Sequence, residues 1–341
     1  MALALAGVVI AALGENPWSL GRELLSECLG SGYGLGQVLQ QTTQLTFTGL
    51  AVGLGFRAGL FNIGAEGQAQ IGAFCVAMAG IHLGGLPPML LVPICILAAL
   101  AGGALWAAVP GGLKAATGAH EVITTIMMNF IAAALLNYLL TRPGIQAPGT
   151  ERTAAIADAA HLPTLEALWS GFAGSTGNTS LLLALAAAVV TGFFLSRTRW
   201  GYEITIAGSN PEAARTYGIS LGRTTLLAMM LSGALAALVG VDFVMGYKHW
   251  FELEFTAGVG YMGIAVALLG RNHPAGIVGA AFLFGLLAYG GVVLTSTAVP
   301  KELVEILQAI VILLILINSW AMRRWMLATH KRRLGRTRPG Q

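Results

Sequence analysis

The sequence has very few charged residues. Aspartate, glutamate, lysine and arginine make up 10% of its 341 residues, whereas hydrophobic residues make up 56%. Ordinary soluble domains carry about 25% charged residues, and the few charges found here cannot cover the surface of a soluble protein. The composition therefore excludes a soluble globular domain and predicts an all-α polytopic membrane protein.

The sequence also lacks paired cysteines and the P-loop motif that binds nucleoside triphosphates. The three cysteines, Cys28, Cys75 and Cys95, have neither paired nor metal-ligand spacing, so no disulfide framework and no metal site is predicted. No glycine is followed by lysine, which excludes a P-loop. A GxGxxG match at residues 258–263 lies in an apolar segment, and we interpret it as chance or as helix packing. No cluster of catalytic residues is found, so transport is favoured over catalysis.

Apolar runs predict about ten transmembrane helices in a single domain covering residues 1–341. Residues 14–34 form a polar connector in this prediction, and Lys114 lies in a short loop. The domain divides into a first helical half (1–196), a polar loop (197–224), a second helical half (225–322) and a basic tail (323–341). The predicted helices are at residues 2–13, 35–56, 66–81, 88–109, 117–140, 180–195, 225–245, 258–269, 277–294 and 304–320.

Polar side chains recur along one face of the second predicted span. Gln37, Gln41, Gln44 and Thr48 follow each other at helical spacing. A glutamine inside a membrane needs a polar partner or water. The stripe therefore either lines a translocation path or forms hydrogen bonds between helices, and the pattern leaves both interpretations open.

A helix break is predicted directly after this span. Residues 55–74 contain five glycines together with Asn62 and Glu66, a composition that is unusual for a simple span. Broken helices persist at membrane depth only where protein or a water-filled cavity satisfies the freed backbone, and in transporters they lie near the substrate. Asn129 shares a helical face with Glu121 in a later span, and Glu121 at a helix start also suits the helix dipole.

The polar loop 197–224 contains signals for a short helix. Asn210 suits the N-cap, Pro211 suits the first helical position, and Gly218 fits as the stop. Such a helix between two spans is a surface on which another protein can act, although an ordinary loop with one helical turn would explain the same residues. With ten spans, most of the 19 lysines and arginines lie on the side of both termini, which predicts cytoplasmic N and C termini and a cytoplasmic loop 197–224.

Four stretches resemble the membrane permease subunit of ATP-binding-cassette (ABC) importers, in the branch that includes ribose, branched-chain amino acid and nucleoside permeases. The first two are most similar to the nucleoside (purine) permeases, and the four occur in the expected order along nearly the whole chain. They read GLFNIGAEGQAQIGA (59–73), GAHEVITTIMMNFIA (118–132), GSNPEAARTYGIS (208–220) and GYMGIAVALLGRNHPAGIVGAAFLFG (260–285).

The third stretch is similar to the coupling motif of such permeases. Glu212, Ala213 and Ala214, followed three residues later by Gly218, match the pattern EAA-x3-G, although the Ile-x-Leu-Pro found after it in other importers is not present here. The resemblance implies that this helix contacts an ATPase subunit through Pro211, Glu212, Ala213, Ala214, Arg215 and Gly218.

The resemblance also implies partners and a location. They are two ABC ATPase subunits that bind the ATP, a second homologous or identical permease subunit, and an extracytoplasmic substrate-binding protein or lipoprotein. The chain would need no cofactor or metal of its own and no nucleic acid, and it would lie in the lipid of the bacterial inner membrane, with its basic tail on anionic headgroups.

The implied solute is a nucleoside or a related small polar molecule. A branched-chain amino acid or a simple sugar is the alternative within the same family, and a self-standing secondary transporter or channel is the alternative from another class. An integral-membrane enzyme is not predicted. The residues expected along the solute path are Gln41, Gln44, Asn62, Glu66 and Asn129.

Overall fold

The computed structural model describes residues 17–297 and residue 310, and this part of the chain is helical with no strand beyond isolated bridges. The predicted spans 2–13 and 304–320 and the basic tail 323–341 lie outside the described residues. The helices are α1 Pro17–Leu29, α2 Gly32–Arg57, α3 Ala65–His82, α4 Pro88–Thr117, α5 Glu121–Leu140, α6 Leu165–Leu168, α7 Ser180–Arg197, α8 Arg199–Ser209, α9 Pro211–Thr216, α10 Leu221–Ala237, the π-helix Val241–Lys248, α11 Val259–Leu269 and α12 Pro274–Thr297.

Five helices within the described residues are long and apolar enough to cross a membrane, and this confirms the predicted helical membrane class. Helix α11 is apolar but shorter. One compact unit consists of Cys28–Tyr289, and the other combines Met1–Glu27 with Gly290–Gln341. In the second unit, a Cβ at Gly290 would lie 2.9 Å from the Leu24 side chain. The five candidate spans are Pro88–Thr117, Glu121–Leu140, Ser180–Arg197, Leu221–Lys248 and Pro274–Thr295.

Helix α2 is enclosed by protein along most of its length. Every residue from 42 to 55 is buried, including four threonines and Gln44. Its 26 residues exceed the ~20 that a membrane crossing needs, yet it is not among the five helices that are both long and apolar enough to cross a membrane. Because its neighbours are protein groups, its polar side chains find partners that lipid could not supply.

Close helix packing depends on glycine in this fold. A Cβ at Gly103 in α4 would lie 2.2 Å from the carbonyl oxygen of Gly233 in α10, and a Cβ at Gly233 would lie 2.3 Å from that of Gly103. The GxGxxG match has the same role, because Gly263 in α11 packs directly against Thr48 of α2. Small residues bring helix backbones together in membranes, so helix packing, rather than nucleotide binding, explains the match.

Two local predictions were wrong. Residues 14–34 are not a connector, because α1 occupies most of them. Its first residue, Pro17, suits a helix start, and Cys28 near its end is buried. Lys114 lies in the last turn of α4 rather than in a loop. Helix α4 continues through Pro110 and stops where Gly118 adopts a left-handed conformation, with φ of 73°.

Candidate functional site

The predicted helix break after α2 is confirmed at residues 58–64. Asn62 is fully buried and organises this segment. Its amide nitrogen donates to the side-chain oxygens of Gln68 (2.9 Å) and Ser232 (2.8 Å), and its amide oxygen accepts from the Gly64 backbone N–H (2.9 Å). The Ser232 hydroxyl in turn donates to the carbonyl of Ala51 in α2 at 2.7 Å. These bonds satisfy backbone and amide groups that the break removes from helical pairing.

Glu66 joins this break to a second one, which lies between the π-helix and α11. One carboxylate oxygen accepts from the Gly260 backbone N–H at 2.7 Å. The other accepts from the Gly258 N–H at 3.1 Å and from the hydroxyl of Thr256. The carboxylate therefore caps the N-terminus of α11, where free N–H groups and the helix dipole favour negative charge.

Gly260 is required for this arrangement. A Cβ at Gly260 would lie 2.4 Å from the backbone nitrogen of Glu66, so a larger residue would separate α11 from α3. Gly258 has a φ of 86°, which is the left-handed region that favours glycine. The two glycines allow the first turns of α3 and α11 to meet at the Glu66 carboxylate.

Asn129 fixes α5 to the same junction. Its amide oxygen accepts from the Gly67 backbone N–H at 3.0 Å. Its amide nitrogen donates to the Ile63 carbonyl (3.0 Å) and to the Tyr261 hydroxyl (3.2 Å). The structure thus brings Asn62, Glu66 and Asn129 together around one pair of helix breaks, although they come from different segments of the sequence.

The glutamine stripe of α2 divides into bonded and unbonded members. Gln44 donates to the carboxylate of Asp242 at 2.7 Å, which is the interhelical hydrogen bond left open by the sequence pattern. The hydroxyl of Thr176 lies within hydrogen-bond distance of the amide oxygens of both Gln37 and Gln40, and its one proton is shared between them. Gln41 is half-buried, and its amide makes no hydrogen bond within the described residues. Among the glutamines of α2 named here, Gln41 differs in that neither atom of its amide is hydrogen-bonded within the described residues.

Asp242 was not identified from the sequence. It is fully buried at the start of the π-helix, and besides Gln44 it accepts from Asn178 (2.9 Å) and Ser180 (2.7 Å). The available signal was a single acidic residue inside the apolar run 225–245, and such residues are rare and functional in membrane segments. Through Asp242, three segments distant in sequence are connected at one carboxylate.

The short helix predicted in loop 197–224 is confirmed as α9. The Asn210 side chain accepts from the Ala213 backbone N–H at 3.1 Å, and Gly218 follows the helix with a φ of 74°. Ala214 is buried, whereas Pro211, Glu212 and the remaining polar residues of α9 are exposed. The prediction overlooked α8, whose N-cap Thr198 accepts from the Gly201 N–H at 3.1 Å. The loop therefore presents two consecutive helices.

A pair of stacked histidines joins the segment 141–179 to the end of the π-helix. The rings of His161 and His249 have centroids 3.7 Å apart and an interplanar angle of 18°. Backbone bonds flank the pair, from Ile156 to the His249 carbonyl (2.8 Å) and from Leu162 to the Met245 carbonyl (2.8 Å). We refer to His161, His249 and these two backbone bonds as the histidine clasp.

The histidine clasp is expected to loosen in acid. Burial, and then the neighbouring His161, hold the pKa of His249 below its ordinary value of 6.5, while Asp158 acts in the opposite direction. An opened clasp would bind a proton more readily, so the closed form is fully stable above that pH. It loses stability as the pH falls through 6.5 toward the lower pKa of the closed form. A nitroxide attached to an Ala155→Cys variant should become more mobile between about pH 7 and about pH 5.

A His249→Asn variant is the control for this experiment. Asparagine tolerates the left-handed conformation of His249, which has a φ of 66°, but it does not titrate in this range. The label should therefore lose its pH response in this variant. An unchanged response would assign the acid sensitivity to another group.

Comparison with known proteins places this geometry in a family. Residues 34–316 match the family model described as the permease component of the branched-chain amino acid transport system. The chain belongs to this family. A nucleoside ABC transporter permease of Lactococcus lactis is 34% identical, over 92% of this chain and 87% of its own length. A guanosine ABC transporter permease of Bacillus subtilis is 37% identical, over 86% and 84%, respectively. A glucose ABC transporter permease of Haloferax volcanii is 39% identical, over 94% and 86%.

These matches confirm the resemblance read from the sequence. The permease is an integral membrane subunit of an ABC importer, and it is a transport subunit rather than an enzyme. Permeases of this kind work with ATPase and substrate-binding partners. The match covers the helix breaks, the Asp242 carboxylate and the α8–α9 segment, so the geometry described above belongs to the transport domain itself.

Proposed function

We propose that this permease carries nucleosides, or a closely related small polar solute, into the cell. The observation that carries the proposal is its similarity to nucleoside and guanosine permeases over most of both chains. A simple sugar is the second candidate, because the glucose permease of Haloferax volcanii is 39% identical. Nucleosides contain a sugar, so both candidates are neutral molecules rich in hydroxyl groups.

The junction of α3 and α11 at the Glu66 carboxylate favours a neutral solute over an amino acid. A zwitterion needs a partner for its carboxylate, and in transporters this is typically the N-terminus of a broken helix. The N-terminus of α11 is already occupied by the Glu66 carboxylate. A second carboxylate beside Glu66 would be repelled, whereas a neutral solute would not. Neutral amide groups such as that of Gln41 can donate to and accept from a nucleoside.

We assign two roles to the five residues proposed for the path. Gln41 offers its unpaired amide to the solute directly. The other four hold the helices that border the path, because each is buried and bonded to another segment. These four residues are Gln44, Asn62, Glu66 and Asn129. The path itself would lie between this permease and a second, homologous or identical one.

The proposed topology has ten spans with both termini in the cytoplasm. The chain forms one transmembrane domain over residues 1–341, with helical halves at 1–196 and 225–322. The distribution of lysine and arginine supports this orientation. Loop 197–224 would then face the cytoplasm and the histidine clasp would face the outside.

In this proposal, helix α9 is the contact with the ATPase. Its exposed face carries charged and polar groups, and buried Ala214 fixes its other face to the permease. Closure of two ATPase subunits on ATP would push this helix, and the spans would rock between outward-open and inward-open states. The contact residues would be Pro211, Glu212, Ala213, Ala214, Arg215 and Gly218.

Reconstitution of the complete importer tests the proposed function. Proteoliposomes with the permeases, ATPase subunits and substrate-binding protein are supplied with labelled guanosine, glucose or leucine, with and without ATP. We expect ATP-dependent uptake of guanosine. ATP-dependent uptake of glucose alone would favour the sugar candidate, and uptake of leucine alone would overturn the neutral-solute argument. Uptake by the permease alone, driven by an ion gradient, would contradict an importer.

Substitution of Gln41 separates a path role from a packing role. We expect Gln41→Leu to reduce uptake by about fivefold, the equivalent of one lost hydrogen bond to the solute. Its thermal stability should not change, because the amide makes no hydrogen bond within the described residues. Gln44→Leu is the matched comparison and should lower stability, since Asp242 loses a donor. Normal uptake by Gln41→Leu would remove this residue from the path.

A further inference from the structure

The end of helix α8 touches the helix break through backbone atoms. A Cβ at Gly208 would lie 2.3 Å from the carbonyl oxygen of Arg57 and 2.5 Å from the backbone nitrogen of Gly59. Gly59 has a φ of 69°, and a Cβ there would lie 3.0 Å from the Gly208 Cα. Because neither residue has a side chain, the two backbones are in direct van der Waals contact. We refer to this contact as the Gly59–Gly208 contact.

A single residue, Asn210, joins helix α8 to helix α9. Asn210 ends α8, where its backbone N–H donates to the Ile206 carbonyl at 2.9 Å. The same residue begins α9, where its side chain accepts from the Ala213 N–H at 3.1 Å. One shared capping residue leaves no flexible linker between the helices. A displacement of α9 is therefore passed to α8.

Apolar packing holds α8 and the break together around the Gly59–Gly208 contact. Ile204 of α8 is completely buried, and Leu60 of the break is 5% exposed. Both belong to one cluster with Leu54, Ala228 and Met229. Close-packed interiors have low compressibility and transmit displacement. The break would thus follow α8 rather than absorb its movement.

From the break, bonded residues lead to the junction of α3 and α11. Leu60 donates from its backbone to the Gly55 carbonyl at 2.9 Å. Two residues later, Asn62 bonds Ser232 and Gln68, and Glu66 caps α11. The chain therefore runs without a gap from the coupling helix to the residues proposed for the solute path.

We infer that Gly208 is a positioning residue that transmits the movement of α9 to the helix break at 58–64 through the Gly59–Gly208 contact. The inference rests on the proposed function, because it assumes that an ATPase acts on α9. Coupling between distant sites needs an element with two arrangements and a physical connection to it. Here the break is that element, and the glycine contact is the connection. Gly208 itself does not contact solute or ATPase in this mechanism.

The test compares Gly208→Ala with Gly112→Ala in the complete reconstituted importer. Gly112 lies in α4, and a Cβ there would meet no atom within 4 Å. We expect Gly208→Ala to retain ATP hydrolysis but to lower the solute moved per ATP by about tenfold, within the usual range of coupling energies. Gly112→Ala should keep the wild-type ratio. A wild-type ratio in Gly208→Ala, inserted at normal levels, would overturn the inference.

A second variant covers the case in which Gly208→Ala does not insert. Ser232→Ala removes one hydroxyl from α10 and adds no atom, so it cannot clash. It leaves Gln68 as the only side-chain acceptor of the Asn62 amide nitrogen and also removes the bond from Ser232 to the Ala51 carbonyl. It should lower the solute-to-ATP ratio by about threefold. An unchanged ratio would reject transmission through the break. If wild-type protein shows no ATP-dependent uptake of any solute, the proposed function itself fails, and that outcome is distinct from both variant results.

Discussion

Replacing Asp242 with alanine is expected to lower the free energy of unfolding of the permease by about 2–5 kcal/mol, since three hydrogen bonds to other segments, of about 0.6–1.7 kcal/mol each, are lost. The carboxylate is fully buried and accepts from Gln44, Asn178 and Ser180. Without it, the buried side chains of Gln44 and Ser180 lose their acceptor, and Asn178 keeps only the Thr176 carbonyl at 3.5 Å. Denaturant unfolding in mixed micelles measures this loss.

Ser180→Ala is the matched comparison for Asp242→Ala. It removes one of the three donors and leaves the carboxylate bonded to Gln44 and Asn178, so the loss should be about one third as large. A change below about 0.5 kcal/mol in Asp242→Ala would show that the carboxylate does not hold these segments together. Ser180 begins α7, and Asp242 lies in the first turn of the π-helix. The ratio of the two losses therefore shows how much of the effect of Asp242 comes from its bond to α7.

Replacing Gly218 with proline is expected to reduce ATP-driven uptake by about a hundredfold, at the upper end of coupling energies, while the protein still inserts. Gly218 has a φ of 74°, whereas proline is restricted to a φ of about −65°. Proline also removes the N–H that donates to the Arg215 carbonyl at 2.9 Å. The end of α9 would unwind, and its exposed face would no longer meet the ATPase in the proposed geometry. Uptake and ATP hydrolysis are measured separately.

Gly218→Asn is the control for the proline variant. Asparagine tolerates the left-handed conformation, keeps its N–H, and has open space here, because a Cβ at Gly218 would meet no atom within 4 Å. We expect near-normal uptake. If Gly218→Pro also transports normally, α9 does not couple ATP hydrolysis to transport, and the mechanism proposed for loop 197–224 is wrong.

Local signals made several parts of the structure predictable. Helix α9 was located because a cap, a proline at the first position and a glycine stop act within a few residues of each other. The break at 58–64 was located because glycines and polar residues cannot continue a lipid-exposed helix. Helix α8 was missed because its polar residues do not form an apolar run. The last turns of α4 were missed because Pro110 suggested an end to the helix, whereas packing and the stop at Gly118 set its actual end.

Residues whose partners are distant in sequence could not be assigned in this way. The partners of Asp242 lie 198, 64 and 62 residues away. The contact of Gly59 with Gly208 depends on backbones from separate segments. Neither has a spacing that helical periodicity can detect, since periodicity relates residues only within one element.

The sequence alone determined that the chain is a helical membrane protein, where the helix break after α2 lies, and which short segment of loop 197–224 forms helix α9. Composition, glycine content and capping residues are sufficient for these three predictions. Composition decides whether the chain is stable in water or in lipid, and glycines and capping residues act on the backbone close to them. Only the tertiary structure decided what each polar side chain meets. Helical periodicity places Gln41 and Gln44 on one face of α2. Packing of the π-helix against α2 gives Gln44 a hydrogen bond to Asp242 and leaves the amide of Gln41 unpaired within the described residues. This difference arises from contacts between segments far apart in the chain, which periodicity cannot detect.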